Sequence, residues 1–251
     1  MAAQRMLTVT GAEAVTPRMR RIAFAGDVAG FMRDDQMHLR LMVPVAGGGI
    51  APRKYTVRRF DAAAGRIEID FALHDEPGPG AAWGAAARPG DRIAAIGPGG
   101  GGFTAAPWCL LLGDEAGLPA IGRIVEGLAP GVRATALIEV DGPADEQAFD
   151  VGADAAIRWL HRNGAAAGTT DLLLRGLRDI AFPADPAEIS VWAGVEHQAF
   201  HAIRDHLRDD LGLPRACHTV VAYWRRDSAQ RSLAASLAGL GRRLFGAQAE
   251  G

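Results

Sequence analysis

Lysine is nearly missing from this chain: of its 27 basic residues only Lys54 is a lysine, and the rest are arginines. Cysteine is equally scarce. Cys109 and Cys217 are the whole complement and form no Cys-x-x-Cys pair, which excludes a disulfide framework, a zinc ribbon and an iron–sulfur cluster. No apolar run reaches the length of a membrane span, and the first residues, Met-Ala-Ala-Gln-Arg-Met-Leu, hold no apolar block of the signal-peptide kind. A cytoplasmic protein is therefore expected. The net charge of −2 lacks the excess of one sign that draws a protein to nucleic acid or to a membrane surface. No Ser-His-Asp order, nucleophile elbow or P-loop is present, so hydrolase and kinase chemistry have no foothold. His197 and His201 lie one helical turn apart, with His206 beyond. The glutamate of H-E-x-x-H is absent, however, Glu196 comes before the pair instead, and no metal is expected.

What is present is the makings of a substantial core: 251 residues, 49% hydrophobic and 22% charged, enough for one large or two medium domains. Residues 6–106 are cut by glycine and proline into short β-type runs at 7–9, 21–24, 38–43, 55–59, 66–73 and 92–96. Arg66-Ile67-Glu68-Ile69-Asp70-Phe71 alternates polar and apolar residues, as a half-buried strand does. Strands this short and this frequent predict an antiparallel barrel or sandwich, with one helical turn near 81–87, after Pro79. From Pro107 the rhythm changes. Strand-like runs at 108–112, 134–140, 172–174 and 188–193 alternate with helix-like segments at 118–128, 144–158 and 197–211, and a last strand spans 218–223. That alternation predicts a parallel sheet with helices on both faces. Two domains are expected, 1–106 and 107–251, the second ending in an amphipathic helix at 228–245 packed against the body.

Between Pro52 and Phe60 the chain reads Pro-Arg-Lys-Tyr-Thr-Val-Arg-Arg-Phe. On a strand, Arg53, Tyr55 and Val57 share one face and Lys54, Thr56 and Arg58 the other. A flat redox cofactor with a diphosphate tail needs this set: a ring to stack on, a hydroxyl for a ring nitrogen, and guanidinium forks for phosphates. An exposed edge strand with ordinary basic decoration has the same composition, and the segment alone does not separate the two.

Other stretches are read the same way. Gly97-Pro98-Gly99-Gly100-Gly101-Gly102 matches G-x-G-x-x-G in letters, but Phe103 to Pro107 follows where a helix should, so it is no dinucleotide fingerprint. It reads as a flexible turn closing the barrel, as an interdomain hinge, or as both. Gly113-Asp114-Glu115 stands where the first strand of the second half turns into its helix, and ligands bind at the carboxyl ends of such strands. Its two carboxylates either accept hydrogen bonds from a ligand or cap the helix. His74, at the end of Asp70-Phe71-Ala72-Leu73-His74, is either ligand-facing or a satisfied surface residue. Tyr223-Trp224-Arg225-Arg226 puts two rings and two positive charges at the edge of the last strand.

Taken in order, these segments resemble the siderophore-interacting protein family, the FAD-dependent ferric-siderophore reductases. The resemblance starts at Thr16-Pro17-Arg18-Met19-Arg20-Arg21, continues through Asp34-Asp35-Gln36, His38-Leu39-Arg40-Leu41, Arg53–Arg58 and Asp70–His74, and reaches Gly113–Glu115 with Leu118-Pro119-Ala120-Ile121. Trp159-Leu160-His161-Arg162 and Tyr223-Trp224-Arg225 complete it. It implies a ferredoxin-reductase-like barrel binding FAD and an α/β domain binding NADH or NADPH. Tyr55 would stack on the isoalloxazine, Thr56 would bond near the reactive ring nitrogen, and Arg53 and Arg58 would meet the pyrophosphate or ribityl chain. Val57, Asp70, Leu73 and His74 would line the cofactor, and Gly80, Ala81, Ala82 and Trp83 would present a helix start to the second phosphate. Gly113, Asp114, Glu115 and Gly194 would line the nicotinamide pocket, with Tyr223 and Trp224 close to the flavin. Ala81 and Ala116 stand where the family carries hydroxyl residues, Val195 is inserted between Gly194 and Glu196, and Ala222 and Asp227 replace flanking glycines.

The implied reaction is reduction of Fe(III) in a siderophore, with Tyr55, Thr56 and Trp224 nearest the chemistry and Lys54, Arg225 and Arg226 holding the anionic ferric complex. The siderophore is the expected small-molecule partner, and the chain is read as a monomer. Glu139 and Asp141, ending the second α/β strand, would repel a 2′-phosphate and tilt the donor toward NADH. The alternatives are a general flavin or quinone reductase and a siderophore carrier without catalysis.

Overall fold

The computed structural model describes residues 4–28, 37–45, 47–75, 77–100, 102–152 and 154–226. Two sheets carry the fold. The first holds seven antiparallel strands: β1 (Gln4–Thr16), β2 (Met19–Ala25), β3 (His38–Val45), β4 (Gly49–Thr56), β5 (Arg59–Asp61), β6 (Arg66–Ala72) and β7 (Arg92–Gly99). Their order is β4-β3-β7-β1-β2-β6-β5. The outermost strands, β4 and β5, are separated in sequence only by Val57 and Arg58. Two residues span about 7 Å, so the edges must meet and the sheet curls into a barrel. The seam is held by the amide of Val57 donating to the Met37 carbonyl and that of Arg58 donating to the Glu68 carbonyl, at 2.9 and 2.8 Å. Inward-facing Leu7, Ile22, Phe24, Leu41, Ile69 and Phe71 fill the interior, all fully buried. Each side chain of this size contributes about 1.5–3 kcal/mol on burial. Helix α1 (Pro79–Ala86) starts at a proline, whose fixed φ suits a first turn, and lies beside β3 and β6.

The second sheet is wholly parallel, in the order β10-β9-β8-β11-β12, from β8 (Trp108–Gly113), β9 (Arg133–Val140), β10 (Asp154–His161), β11 (Ile189–Glu196) and β12 (His218–Trp224). Central β8 is buried at every position, as a strand covered on both faces must be, which explains its unbroken Trp-Cys-Leu-Leu-Leu run. Helix α2 (Leu118–Glu126) follows it and turns Leu118, Ile121, Ile124 and Val125 inward at helical spacing. Helices α3 (Leu172–Arg178) and α4 (His197–Asp205) lead into β11 and β12. From β8 the chain steps to β9 and β10 on one side and afterwards to β11 and β12 on the other. The switch point, where such sheets open a ligand crevice, lies between the carboxyl ends of β8 and β11.

Four local expectations change. Residues 144–158, alanine-rich and helix-like in sequence, form a short turn at Pro143–Asp145 and then edge strand β10, in register with β9 from Asp154 to His161. Asp145 is buried and accepts the Arg18 amide at 3.1 Å, which pins the turn, and strand pairing overrides alanine's helical preference. The Leu172-Leu173-Leu174 run begins α3, because Leu173 and Leu177, one turn apart, are the pair that gets buried. The 55–59 run is not one strand but breaks at the barrel seam. Gly97, Pro98 and Gly99 extend β7, with Gly99 paired to His38, rather than forming a loose turn. The helix expected at 228–245 lies outside the described residues, as do Asp34-Asp35-Gln36. We propose the domain boundary at 106/107, in the connection between β7 and β8.

Candidate functional site

The strip on β4 begins with Arg53, whose exposed side chain bonds, among the described residues, its neighbour's carbonyl, Pro52. Tyr55 lays its ring on Phe71, centroids 4.3 Å apart, and burial pushes its hydroxyl above the ordinary phenol range. That hydroxyl comes so close to α1 that a Cβ at position 80 would collide with it, so Gly80 is required for Tyr55 to lie there. The first turn of α1 holds Ala81 and Ala82; the Ala82 amide donates to the Gly78 carbonyl at 2.9 Å, Gly78 offers no side-chain acceptor and the turn holds no acid, so the start of α1 has no side-chain cap. Trp83, one turn on, stacks on Phe24 and Phe71 at 6.1 and 5.9 Å and braces this wall. Thr56 is buried, and its Oγ1 makes no hydrogen bond of good geometry among the described residues. Tyr223 of β12 faces it: burial raises the Tyr223 pKa, and a side-chain interaction with the Thr56 hydroxyl, too loose to be a well-made hydrogen bond, partly offsets the rise.

Across from Lys54 and Thr56, β3 contributes Arg40 and His38, their direct register partners. These line a depression of about 280 Å³ with the Gly97–Gly100 stretch. Arg40 and Lys54 form no ion pair among the described residues, and burial together with these two cations lowers the His38 pKa. Arg40 and His38 were not singled out from sequence, although the alternation of β3 opposite β4 was a sufficient signal.

At the switch point, Gly113 and Gly194 face each other across β8 and β11. Asp114 accepts four N–H bonds: from Ala116 and Gly117 at 2.9 and 3.3 Å, from Glu196 at 3.0 Å, and from the Trp224 indole at 2.7 Å. Burial and neighbouring Glu115 nevertheless push its pKa up to about 7. Glu115 is gripped by both terminal nitrogens of Arg162, which also lies 3.6 Å from Glu139. Glu139, buried beside Thr170, has its pKa raised by that burial. Trp224 stacks on His74 at 6.3 Å, so a β12 ring meets a barrel residue. Leu73 and His74 line a second depression, about 300 Å³, with Pro17, Arg18 and Asp75. Burial lowers the His74 pKa, with Glu115 opposing.

Three expected roles meet a different geometry. Asp70 is held by Arg21 at 2.6 and 2.8 Å and faces no open site. Arg58 is buried and binds both oxygens of Glu126 on α2, at 2.5 and 2.6 Å, while the Val57 side chain belongs to the barrel core. Glu139 and Asp141 do not await a ribose: Glu139 is buried with Arg162, and Asp141 lies 3.3 Å from Arg18 and accepts the Gly164 amide. The argument for NADH over NADPH from their charge therefore lapses. Arg225 lies against His197, and the Arg226 amide donates to Glu196. Arg162 and Glu126 were not among the expected site residues, although Arg162 closes the Trp159-Leu160-His161-Arg162 motif; nothing local in sequence marks Glu126. No group of three His, Cys, Asp or Glu among the described residues is placed to hold a metal. No helix among them is long and apolar enough to cross a membrane.

A curled antiparallel barrel whose ring-and-hydroxyl strip meets the switch point of a parallel sheet defines a ferredoxin-reductase-like, two-domain fold. The ferredoxin reductase of carbazole 1,9a-dioxygenase shares that fold at 15% identity, with a TM-score of 0.64 over 88% of this chain and 67% of that one. Within that class, the chain belongs to the siderophore-interacting protein family. The family profile for the siderophore-interacting protein matches residues 106–227, and that for the siderophore-interacting FAD-binding domain matches 49–102. A siderophore utilization protein from T. fusca is 41% identical, with a TM-score of 0.82 over 89% of this chain and 93% of that one. Ferric vibriobactin reductase ViuB of Vibrio cholerae is 27% identical over 244 residues, 88% of this chain and 89% of ViuB. An uncharacterized protein of Mycobacterium tuberculosis is 36% identical over 185 residues, 69% of this chain, and the match spans 65% of that relative's length.

Proposed function

We propose that this protein is a FAD-dependent NAD(P)H:ferric-siderophore oxidoreductase. The observation that carries the proposal is the buried Thr56 hydroxyl, which has no well-made hydrogen bond among the described residues, set between Tyr55 and Tyr223 and near the His38, Arg40 and Lys54 depression. A buried orphan hydroxyl costs about 1–3 kcal/mol, and a ligand acceptor or donor at that point removes the cost. Together with the exposed Arg53 and the uncapped start of α1, the residues fit FAD.

FAD held there would supply the redox chemistry: acceptance of a hydride from a nicotinamide and delivery of its two electrons singly to two Fe(III), with release of one proton. The chain supplies position and charge. Tyr55 and Phe71 offer the stacking wall, Arg53 and the α1 amides neutralise phosphate, and Thr56 orients a ring nitrogen. Lys54 and Arg40 attract an anionic ferric chelate to the neighbouring depression, and Trp224, held by Asp114, sits between the barrel and the crevice. Because hard oxygen chelators grip Fe(II) far less tightly than Fe(III), reduction releases the metal and the protein needs no iron ligands of its own.

Anaerobic titration tests the whole reading. The purified protein should bind FAD, bleach with NADH or NADPH, and regain its colour faster with ferric siderophores than with quinones. Faster recovery with quinones would make it a general reductase. Bound flavin that neither nicotinamide bleaches would leave a siderophore carrier, a reading favoured by the mutually satisfied polar groups of the crevice.

A further inference from the structure

The two residues of the barrel seam also reach across to helix α2, alongside the buried Met19 and Met37 and the Arg18 contacts that join the barrel to the second domain. Arg58, with a side chain only 2% exposed, makes a two-pronged ion pair with Glu126 in the last turn of α2. Its guanidinium lies flat against α2: a Cβ at Gly122 would sit 2.9 Å from Arg58 Nε and 2.9 Å from the Phe149 ring. In the opposite direction, Arg123 of α2 donates to the Val57 carbonyl at 3.0 Å. Although burial works against ionisation, Arg58 holds the Glu126 carboxyl below its usual range.

The same helix begins at the switch point. The Asp114 carbonyl accepts the amides of Gly117 and Leu118, and its carboxylate ties Glu196 and Trp224 to the loop that starts α2. One rigid path therefore runs from Thr56 through Val57 and Arg58 into α2, and from α2 back to the crevice beside Trp224. One end of this path is the proposed flavin contact and the other the proposed nicotinamide crevice. Reactions of this kind demand reacting atoms held about 3–3.5 Å apart, and an error of 1 Å can cost about a hundredfold.

We infer that Glu126 is a positioning residue: through Arg58 it sets the spacing between the nicotinamide crevice and the Thr56 strip, and so governs how fast a bound nicotinamide reduces the flavin. The inference rests on the reading of the site given above. It takes Arg58 away from the phosphate role that the family resemblance implies and makes it the barrel's half of a clamp. The clamp acts on the spacing of the two reactants, not on the affinity for either one.

Glu126→Gln keeps the shape and removes the charge at a position with a 21% exposed side chain, so folding should survive. In wild type and variant, FAD affinity is read by quenching of flavin fluorescence, and the bleaching rate by stopped flow across NADH or NADPH concentrations. FAD affinity should stay within about twofold, and half-saturation by the nicotinamide should stay unchanged. The limiting bleaching rate should fall about tenfold. Hydrogen exchange on the apoprotein adds a readout free of activity: amides 57–59 and 118–126 should exchange faster together in the variant, with the rest unaltered. Arg58→Met, which refills the buried space, should give the same rate loss, and the double variant should be no slower than either single one. An unchanged bleaching rate in Glu126→Gln overturns the inference, as does an Arg58→Met loss that falls on FAD affinity. Failure of the wild type to bleach at all would overturn the reading of the site instead.

Discussion

On the barrel, Thr56 keeps a buried hydroxyl with no well-made hydrogen bond among the described residues and Arg53 reaches into solvent, whereas across the interface Asp114 accepts four N–H bonds and Arg162 grips one buried carboxylate and borders another. Both regions are rich in polar groups, and both lie where their sheets bring ligands. They differ in who satisfies those groups. The barrel strip holds one buried hydroxyl only loosely, which costs stability in the free protein and would be recovered by a ligand acceptor or donor at that point. The crevice satisfies itself; on the function proposed above, a nicotinamide entering there would have to displace contacts already made, the Asp114–Trp224 bond among them.

The contrast is broken most severely at Arg162. Arg162→Ala leaves Glu115 and Glu139 buried without their cation beside Asp114. Denaturant unfolding should show a loss of about 3–5 kcal/mol, while Arg53→Ala on the exposed strip should cost under about 0.5 kcal/mol.

Next in size is the pH response of Asp114. Its folded value of about 7 lies above the ordinary carboxylate value of 3.8, so folding favours the protonated form between the two. The Asp114 contribution to stability should therefore be greatest below about pH 4 and fall as pH rises to about 7, by at most about 4 kcal/mol, read as the difference between wild type and Asp114→Asn. Protonation also removes an acceptor from Trp224, so tryptophan fluorescence should shift near pH 7. Asp114→Asn should flatten both curves; a fluorescence midpoint that persists in that variant would assign the transition elsewhere.

Tyr55→Ala removes the stacking wall and should weaken FAD about ten- to a hundredfold, as read by isothermal calorimetry. The Trp224–Asp114 region should be untouched, leaving the pH response as in wild type. The smallest expected effect sharpens the comparison most. Thr56→Val replaces an orphan hydroxyl by a methyl of the same shape, so the free protein should gain up to about 1 kcal/mol while FAD weakens a few-fold. A stability loss in that variant would mean that Thr56 is satisfied in the free protein.

Much of this was readable along the chain. The change of rhythm near residue 107 separates short alternating strands from βαβ units, and the Trp108–Leu112 run reads as a central buried strand because it is one. Arg53, Tyr55, Thr56 and Lys54 stand out by type and alternation alone. The 144–158 stretch misled because alanine states a weak preference, which the pairing of an edge strand overrides. Asp70 and Arg58 both carry charge suited to a cofactor, but each already has a protein partner that local spacing does not reveal.

The sequence by itself determined the two kinds of domain, the order of their strands along the chain and the chemical kit on β4, because periodicity and side-chain type act over a few residues. Only the tertiary structure decided which charges remain available. Arg58 meets Glu126 across 68 residues, Arg21 meets Asp70 across 49, and Arg162 meets Glu115 across 47. A buried charge must find a partner within about 3 Å, and which of the candidate partners lies that close is set by how the two sheets pack.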